Sequence, residues 1–208
     1  LCDRLPAREL EIPSFAQSFG AAGRTVKAFQ GKPLIAWVGF ADDPASRFVL
    51  RALAARKKEL DANGVPLLAI ECGDAAAEAG ARKLFREIGV DALAGRADKR
   101  FLQDLQVFAM EVISPFDRLA YPLTLLFDRG GQLTVLYSGA PRVEDVFTDA
   151  RAVFSMDPND TSTEALLHGR WASPYSRNLE GMGQIFDLLG EAGLGRYYHG
   201  LAAARGQR

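Results

Sequence analysis

The chain has 208 residues, of which 48% are hydrophobic, so it is long enough for one sizeable core with an appendage and short for two full domains. Its 25 Lys and Arg residues nearly balance 26 Asp and Glu residues, without a run of like charge. This balance excludes a strong electrostatic hold on nucleic acid or on an anionic membrane surface. The longest apolar run, residues 34–40, is far shorter than the roughly 20 residues that span a bilayer, so no membrane span is predicted.

Four apolar runs have the composition of β-strands: residues 34–40, 65–70, 123–127 and 133–137. The first two are apolar on both faces, which is typical of central strands in a parallel sheet. Between them, residues 44–62 show helical spacing, and Asn63 and Gly64 provide a helix stop. The pattern therefore predicts a βαβ unit.

The third and fourth runs are joined by residues 128–132, whose adjacent glycines permit a tight turn, so we expect an antiparallel hairpin. Further helices are predicted over residues 75–88 and 143–154. Apolar residues also recur at helical spacing over about residues 97–113, which predicts an inserted helix before the hairpin. This order of elements predicts an α/β fold, with a mixed central sheet between two layers of helices.

The composition becomes polar after the last of these helices, as it does in linkers. We therefore expect one domain over residues 1–154 and a linker over residues 155–176. Residues 177–208 predict a helical hairpin broken around Gly193 to Gly195. Because so small a hairpin cannot bury its apolar side chains alone, we expect it to pack on the domain or on a following repeat.

Several short segments resemble the TlpA-like, redoxin branch of the thioredoxin superfamily. Residues 31–34 (Gly-Lys-Pro-Leu) lead into the first buried strand as that family's Gly-Lys-Pro does. Tyr121 and Pro122 are similar to the loop that carries its cis-proline, and residues 127–131 are similar to its hairpin. The resemblance covers about residues 10–154. It implies a thioredoxin-like three-layer sandwich with a groove for extended chains beside the cis-proline.

The sequence departs from this family where its chemistry takes place. The positions of the family's Cys-x-x-Cys are occupied here by Asp43, Pro44, Ala45 and Ser46. In the family, a thiolate at a helix N-terminus attacks a disulfide and a second thiol resolves the product. Because neither oxygen side chain can do this, we expect a redox-inactive module and not an enzyme. Asp43 followed by Pro44 is instead the favoured pair for a helix cap and first helical residue.

We expect this degenerate site to bind or position a protein or extended-peptide partner, using the face around Asp43, Ser46, Tyr121 and Pro122. The groove beside the cis-proline, which the resemblance implies, can accept backbone hydrogen bonds without cysteines. Two alternatives stay open. One is a single-cysteine, peroxidase-like enzyme that acts through Cys72 at the carboxyl edge of the second strand. The other is a purely structural spacer.

No cofactor or metal site is predicted. Cys2 and Cys72 lie far apart and fit no redox or metal motif, and His168 and His199 have no ligand at metal-binding spacing. Glycine-rich nucleotide motifs and the Gly-x-Ser-x-Gly motif are absent from the sequence. Asp74, like Asp43, precedes a predicted helix in the manner of an N-cap.

A narrower resemblance concerns the inserted helix, residues 135–140, and residues 169–171 followed by helical pairs. These features are similar to redoxin-like modules of large bacterial proteins that also carry FG-GAP, ASPIC/UnbV (cartilage-acidic-protein-like) and tetratricopeptide segments. The resemblance implies a periplasmic or extracellular location and a hairpin like those of tetratricopeptide repeats. The residues themselves determine neither the compartment nor the oligomeric state.

Overall fold

The computed structural model describes residues 5–6, 11–12, 24–112, 119–155, 167–171 and 178–206. The strands within these ranges are β1 (Leu5–Pro6), β2 (Glu11–Ile12), β3 (Arg24–Thr25), β4 (Leu34–Gly39), β5 (Leu67–Glu71), β6 (Ala94–Arg96), β7 (Leu123–Phe127), β8 (Gln132–Ser138) and β9 (Arg170–Trp171). The helices are α1 (Pro44–Ala55), α2 (Lys57–Ala62), α3 (Glu78–Glu87), α4 (Lys99–Val112), α5 (Val143–Ser155), α6 (Leu179–Leu188) and α7 (Ala192–Ala204). Cys2 lies outside the described residues, as does most of the predicted linker.

The main sheet has the strand order β1-β8-β7-β4-β5-β6, with β9 also paired to β8, while β2 and β3 pair separately. Strand β4 runs parallel to β5, and β5 runs parallel to β6. Strand β7 is antiparallel to both β4 and β8. The predicted βαβ unit, the antiparallel hairpin and the mixed thioredoxin-like sandwich are thereby confirmed.

Every residue of β4, β5 and β7 is buried, because helices cover both faces of the sheet. Ile35 and Trp37 point to one face, where they pack in a core with residues of α1, α3 and α5. Leu34, Ala36 and Val38 point to the other face, where the core includes residues of α4, α6 and α7. No helix among the described residues is long and apolar enough to cross a membrane.

Two predicted helices differ from the structure, and strand β6 was not predicted. The helix predicted over residues 44–62 is interrupted at Arg56, whose guanidinium binds Glu59 and Glu144 and lies 3.9 Å from the centre of the Phe147 ring. The helix predicted over residues 75–88 is shorter because the Asp74 carboxylate holds a turn ahead of it. Strand β6 was missed, since three residues that include a glycine give no apolar run.

The helical hairpin packs on the domain, which was one of the two arrangements expected. The ring of Phe108 on α4 lies 5.8 Å from that of Phe186 on α6 and 6.1 Å from that of Tyr198 on α7. The hairpin turns at Gly190, with φ of +80°, and not at residues 193–195, which lie within α7. Gly195 is required inside the helix because a Cβ there would overlap the Asp187 carboxylate.

Part of the segment predicted as a linker is attached to the sheet. Strand β9 pairs antiparallel with β8, and the buried carboxylate of Asp149 on α5 holds the residues just before it. Asp149 accepts hydrogen bonds from the N–H groups of His168 and Gly169, each at 2.8 Å, and from the Tyr137 hydroxyl. Residues 167–171 are therefore fixed against the sheet and α5. The predicted domain boundaries are not tested by these contacts and stay a prediction.

Helix α1 begins at Pro44 because Asp43 caps it, as predicted. Asp43 has extended backbone angles, and its Oδ2 accepts a hydrogen bond from the Ser46 N–H at 2.7 Å. This bond satisfies one of the amide groups that a helix N-terminus leaves without a partner. It also places a negative charge at the positive end of the helix dipole.

We predict that Asp43→Ala lowers the melting temperature by about 2–4 °C at neutral pH, whereas Asp43→Asn, which retains a capping oxygen, lowers it less. The Ser46 N–H holds the pKa of Asp43 below its usual value of 3.8. The carboxylate's contribution is therefore complete above that value and decreases as pH falls through the lower folded-state pKa. Thermal unfolding of both variants as a function of pH measures this. Equal stability of wild type and Asp43→Ala at neutral pH would contradict the capping role.

A second prediction concerns the only two histidines of the chain. The hydrogen bond to Asp149 raises the pKa of His168, and those to Glu180 and Asp187 raise the pKa of His199. Their protonated forms therefore stabilise the fold fully below the usual pKa of 6.5, and this stabilisation is lost as pH rises through the raised values.

The melting temperature of the wild type should thus decrease more between about pH 6 and about pH 8 than that of the His168→Gln/His199→Gln double variant. Thermal unfolding in matched buffers of constant ionic strength measures the difference. The single variants show whether the difference arises at residues 167–171, which contain His168, or at the helical hairpin, which contains His199. Parallel pH profiles of the wild type and the double variant would contradict the prediction.

Candidate functional site

Four chain segments meet at one edge of the sheet. Residues 40–43 follow β4, Cys72 follows β5, Tyr121 and Pro122 precede the antiparallel β7, and Gly139 follows β8. The Cys72 N–H donates to the Gly39 carbonyl at 2.8 Å, which holds the first two segments together. Tertiary structure therefore brings the predicted site residues and the alternative cysteine to the same edge, where α/β proteins commonly place their sites.

The predicted site residues differ in how far they reach the surface. Pro44 and Ala45 are exposed, and Asp43 and Tyr121 are partly exposed. Ser46 and Pro122 are buried. Ser46 lies on the inner side of α1, where its Oγ approaches Trp37 and Gly39. The expectation that Ser46 contributes to a binding face is therefore wrong, because the helical period turns that position towards the core.

Asp43 is occupied with the start of the helix. The hydrogen bond from the Ser46 N–H lowers the pKa of the Asp43 carboxyl group, so it is ionised at neutral pH. An ionised carboxylate that accepts a helix N–H is neither a general acid nor a nucleophile for disulfides. The position that holds an attacking thiolate in the family fixes the loop geometry in this chain.

The peptide bond between Tyr121 and Pro122 is cis, as the resemblance implied. The flanking carbonyls of Ala120 and Pro122 both accept the Gly139 N–H, at 2.6 and 3.0 Å. Neither the N–H nor the carbonyl of Tyr121 has a hydrogen-bond partner among the described residues. The backbone of Tyr121 can therefore pair with another chain.

The side chain of Tyr121 forms an aromatic pair with Phe40, at 5.2 Å between ring centres and with the rings nearly perpendicular. Burial raises the pKa of the Tyr121 hydroxyl to about 12, with a smaller effect from Cys72. The hydroxyl is therefore neutral at physiological pH. The pair offers an apolar surface directly beside the free backbone groups of Tyr121.

Cys72 is close to this edge, in surroundings that disfavour a thiolate. Its side chain packs against the core on the α4 side of the sheet. Burial raises the pKa of the Cys72 thiol to about 12, and the neighbouring Glu71 adds to the shift. Catalytic thiols lie in electropositive, partly exposed surroundings that lower their pKa. The environment of Cys72 is the opposite, which argues against the single-cysteine enzyme.

Glu71 is a residue of this edge that sequence reasoning missed. It is fully buried at the end of β5, and its carboxylate accepts hydrogen bonds from the N–H groups of Ala41 at 2.7 Å and Gly73 at 2.8 Å. Burial raises its pKa, while these two hydrogen bonds oppose the shift. Glu71 thus connects the loops after β4 and β5. The available signal was a lone charged residue ending an otherwise apolar strand.

Asp43 caps α1 at this edge, whereas Asp74, predicted as an N-cap, holds the turn ahead of α3. Asp74 accepts hydrogen bonds from the N–H groups of Ala76 and Ala77, at 2.9 and 3.1 Å, and α3 begins after them without a side-chain cap. Within the part of the chain that the structure describes, no three His, Cys, Asp or Glu side chains are grouped so as to hold a metal ion.

Comparison with known proteins gives a match at the level of structure. No protein-family model matches the sequence, and no curated protein matches it. A thiol:disulfide interchange protein of the thioredoxin family from Chlorobium tepidum is similar, with a TM-score of 0.56, 12% identity and coverage of 74% of this chain and 98% of its own.

Two further solved structures are similar to this chain. For the thioredoxin domain of a thiol-disulfide oxidoreductase from Bacteroides vulgatus, the TM-score is 0.52 at 14% identity, with 73% of this chain and 97% of the other covered. For a secreted disulfide oxidoreductase of Mycobacterium tuberculosis, the TM-score is 0.50 at 13% identity, with 70% and 97% covered. Together with the strand order and the cis-proline loop, these matches show that the chain has the thioredoxin-like fold.

Proposed function

We propose that this chain is a redox-inactive thioredoxin-like module that binds an extended peptide segment of a protein partner. The observation that carries the proposal is the backbone of Tyr121, whose N–H and carbonyl have no partner among the described residues. A peptide lying beside Tyr121 as a short antiparallel strand would satisfy both groups. The Phe40 and Tyr121 rings would contact its side chains.

The surroundings of this backbone support pre-organisation for binding. The Gly139 N–H holds the carbonyls on either side of Tyr121, and Glu71 holds the neighbouring loop through the Ala41 N–H. A loop that is already in its bound conformation loses little conformational entropy when a peptide binds. The Asp43 cap adds to this, because it fixes the start of α1 beside the loop.

Redox inactivity follows in this proposal from two observations. Asp43 occupies the position of the family's attacking cysteine, and its charge is engaged by the helix N-terminus. The Cys72 thiol has a pKa of about 12, so it is protonated at neutral pH. We further propose an extracytoplasmic location, which the sequence resemblance implies and which the secreted neighbour from M. tuberculosis supports.

The binding proposal is tested with decapeptides selected from a random display library on the immobilised chain. Selected peptides should shift the backbone amide resonances of Tyr121 and of residues 40–43. Tyr121→Ala should weaken binding about tenfold in fluorescence anisotropy, because it removes the aromatic surface beside the paired backbone. Tyr197→Ala is the matched control, since Tyr197 is a partly buried tyrosine that packs against the same core.

Peptides that leave the Tyr121 amide unshifted and bind the Tyr121→Ala variant with unchanged affinity would contradict the proposed site. A chain that enriches no peptide at all would favour the structural spacer.

The thiol prediction uses a Cys2→Ser background, in which Cys72 is the only thiol. This protein should not accelerate the reduction of insulin by dithiothreitol. Iodoacetamide should label Cys72 about a thousandfold more slowly in the folded protein than in concentrated urea, because the raised pKa leaves very little thiolate. Rapid labelling in the folded state, or insulin reduction that disappears in Cys72→Ser, would restore the thiol-enzyme alternative.

A further inference from the structure

A recess lies beside the same loop. It is a cleft of about 370 Å³ between the first turns of α1 and the length of α3. Ala41 and Asp42 lie at its rim, and Arg47 from α1 and Lys83 from α3 line its walls. Small side chains form much of the remaining lining: Ala76, Ala77, Gly80 and Ala81.

The cationic side chains of this cleft have no partner among the described residues. The guanidinium of Arg47 and the ammonium of Lys83 make no hydrogen bond or ion pair with any of them. Neighbouring arginines do have partners: Arg51 binds Glu87 at 2.9 Å, and Arg82 binds Glu78 at 2.8 Å. The cleft therefore carries two positive charges that the ion pairs of the described residues of α1 and α3 do not neutralise.

The charge balance of the cleft selects the kind of anion. Arg47 and Lys83 contribute two positive charges, and Asp42 at the rim contributes one negative charge that has no ion-pair partner among the described residues. The Glu87 carboxylate is already paired with Arg51. A monoanion neutralises the remaining charge, whereas a phosphate dianion would also be repelled by Asp42. A carboxylate matches the planar fork of Arg47, which can donate two parallel hydrogen bonds.

The lining of the cleft leaves room for the methylene groups of an acidic side chain. A Cβ added to Gly80 would meet no heavy atom within 4 Å, so the space beside this helical glycine is open. The methyl groups of the alanines provide a shallow apolar surface next to it. The methylene groups of a glutamate side chain would lie on this surface with the carboxylate between the two cations.

We propose that this cleft binds an acidic side chain of the partner peptide, and this inference rests on the proposed function. Residues 40–43 separate the cleft from the Tyr121 edge: Phe40 contacts Tyr121, and Asp42 lines the cleft. Residues 40–43 form a turn, in which the Asp43 N–H donates to the Phe40 carbonyl at 3.1 Å, so this separation is short. The acidic residue therefore lies within a few positions, along the peptide, of the residue that pairs with Tyr121.

The test uses a minimal probe, N-acetyl-glutamate methylamide, which carries one carboxylate, and its glutamine analogue as the neutral counterpart. The glutamate probe should cause saturable shifts in the amide resonances of Ala41, Arg47 and Gly80, and the glutamine probe should cause none. Arg47→Gln and Lys83→Gln should each weaken binding about tenfold, because each removes a charge-assisted hydrogen bond.

Gly80→Leu should abolish binding by filling the cleft. Glycine is unfavourable within helices, so this substitution does not weaken α3 and the loss cannot be attributed to unfolding. Gly200→Leu is the matched control, since Gly200 is a helical glycine of α7 with equally open surroundings. Equal binding of the glutamine probe, tighter binding of inorganic phosphate, or unchanged binding by Gly80→Leu would each overturn the proposal.

The experiments distinguish failure of the peptide-binding proposal from failure of the carboxylate-site proposal. Tyr121→Ala should leave binding of the glutamate probe unchanged, because the probe is too short to reach that residue. Glutamate binding without any peptide bound at Tyr121 would retain the carboxylate site and refute the peptide groove. Peptides that bind at Tyr121 with the same affinity in wild type and Gly80→Leu would refute the carboxylate site alone.

Discussion

The burial of β4 on both faces is the constraint on which this structure depends. All six residues of the strand are covered, so the chain can place polar and exposed groups only beyond the strand ends. The loops after β4 and β5, and the loop before β7, therefore meet at one edge. Glu71 holds the first two of these loops together through the Ala41 and Gly73 N–H groups, and the hydrogen bond from the Cys72 N–H to the Gly39 carbonyl adds a second connection between them.

The replacement of a thiol by a carboxylate at the start of α1 changes what the same helix dipole does. At this position the dipole of a thioredoxin-like helix would stabilise a thiolate. Here it stabilises the Asp43 carboxylate, which accepts a hydrogen bond from the Ser46 N–H of the helix. The helix dipole thus stabilises the loop. The N–H and carbonyl of Tyr121 have no partner among the described residues, so they can still pair with another chain.

Two surfaces adjoin the loop of residues 40–43, and they differ in chemistry. The Tyr121 side offers backbone groups and aromatic rings, which in our proposal bind an extended chain with little regard to sequence. The cleft between α1 and α3 offers two cations without an ion-pair partner among the described residues, and in our proposal these bind an acidic side chain. A partner that uses both would gain affinity from the first and selectivity from the second.

The sequence by itself determined the features that depend on local pattern: the buried strands, the hairpin, the inserted helix, and the Asp43 cap. It did not reveal the contact of Glu71 with Ala41, the attachment of His168 to Asp149, the inward position of Ser46, or the cleft between α1 and α3. These join residues far apart in the chain or depend on which side of a helix faces the core. Only the order of the strands and the packing of helices on the sheet decide such contacts, because apolar spacing specifies an element without specifying its neighbours.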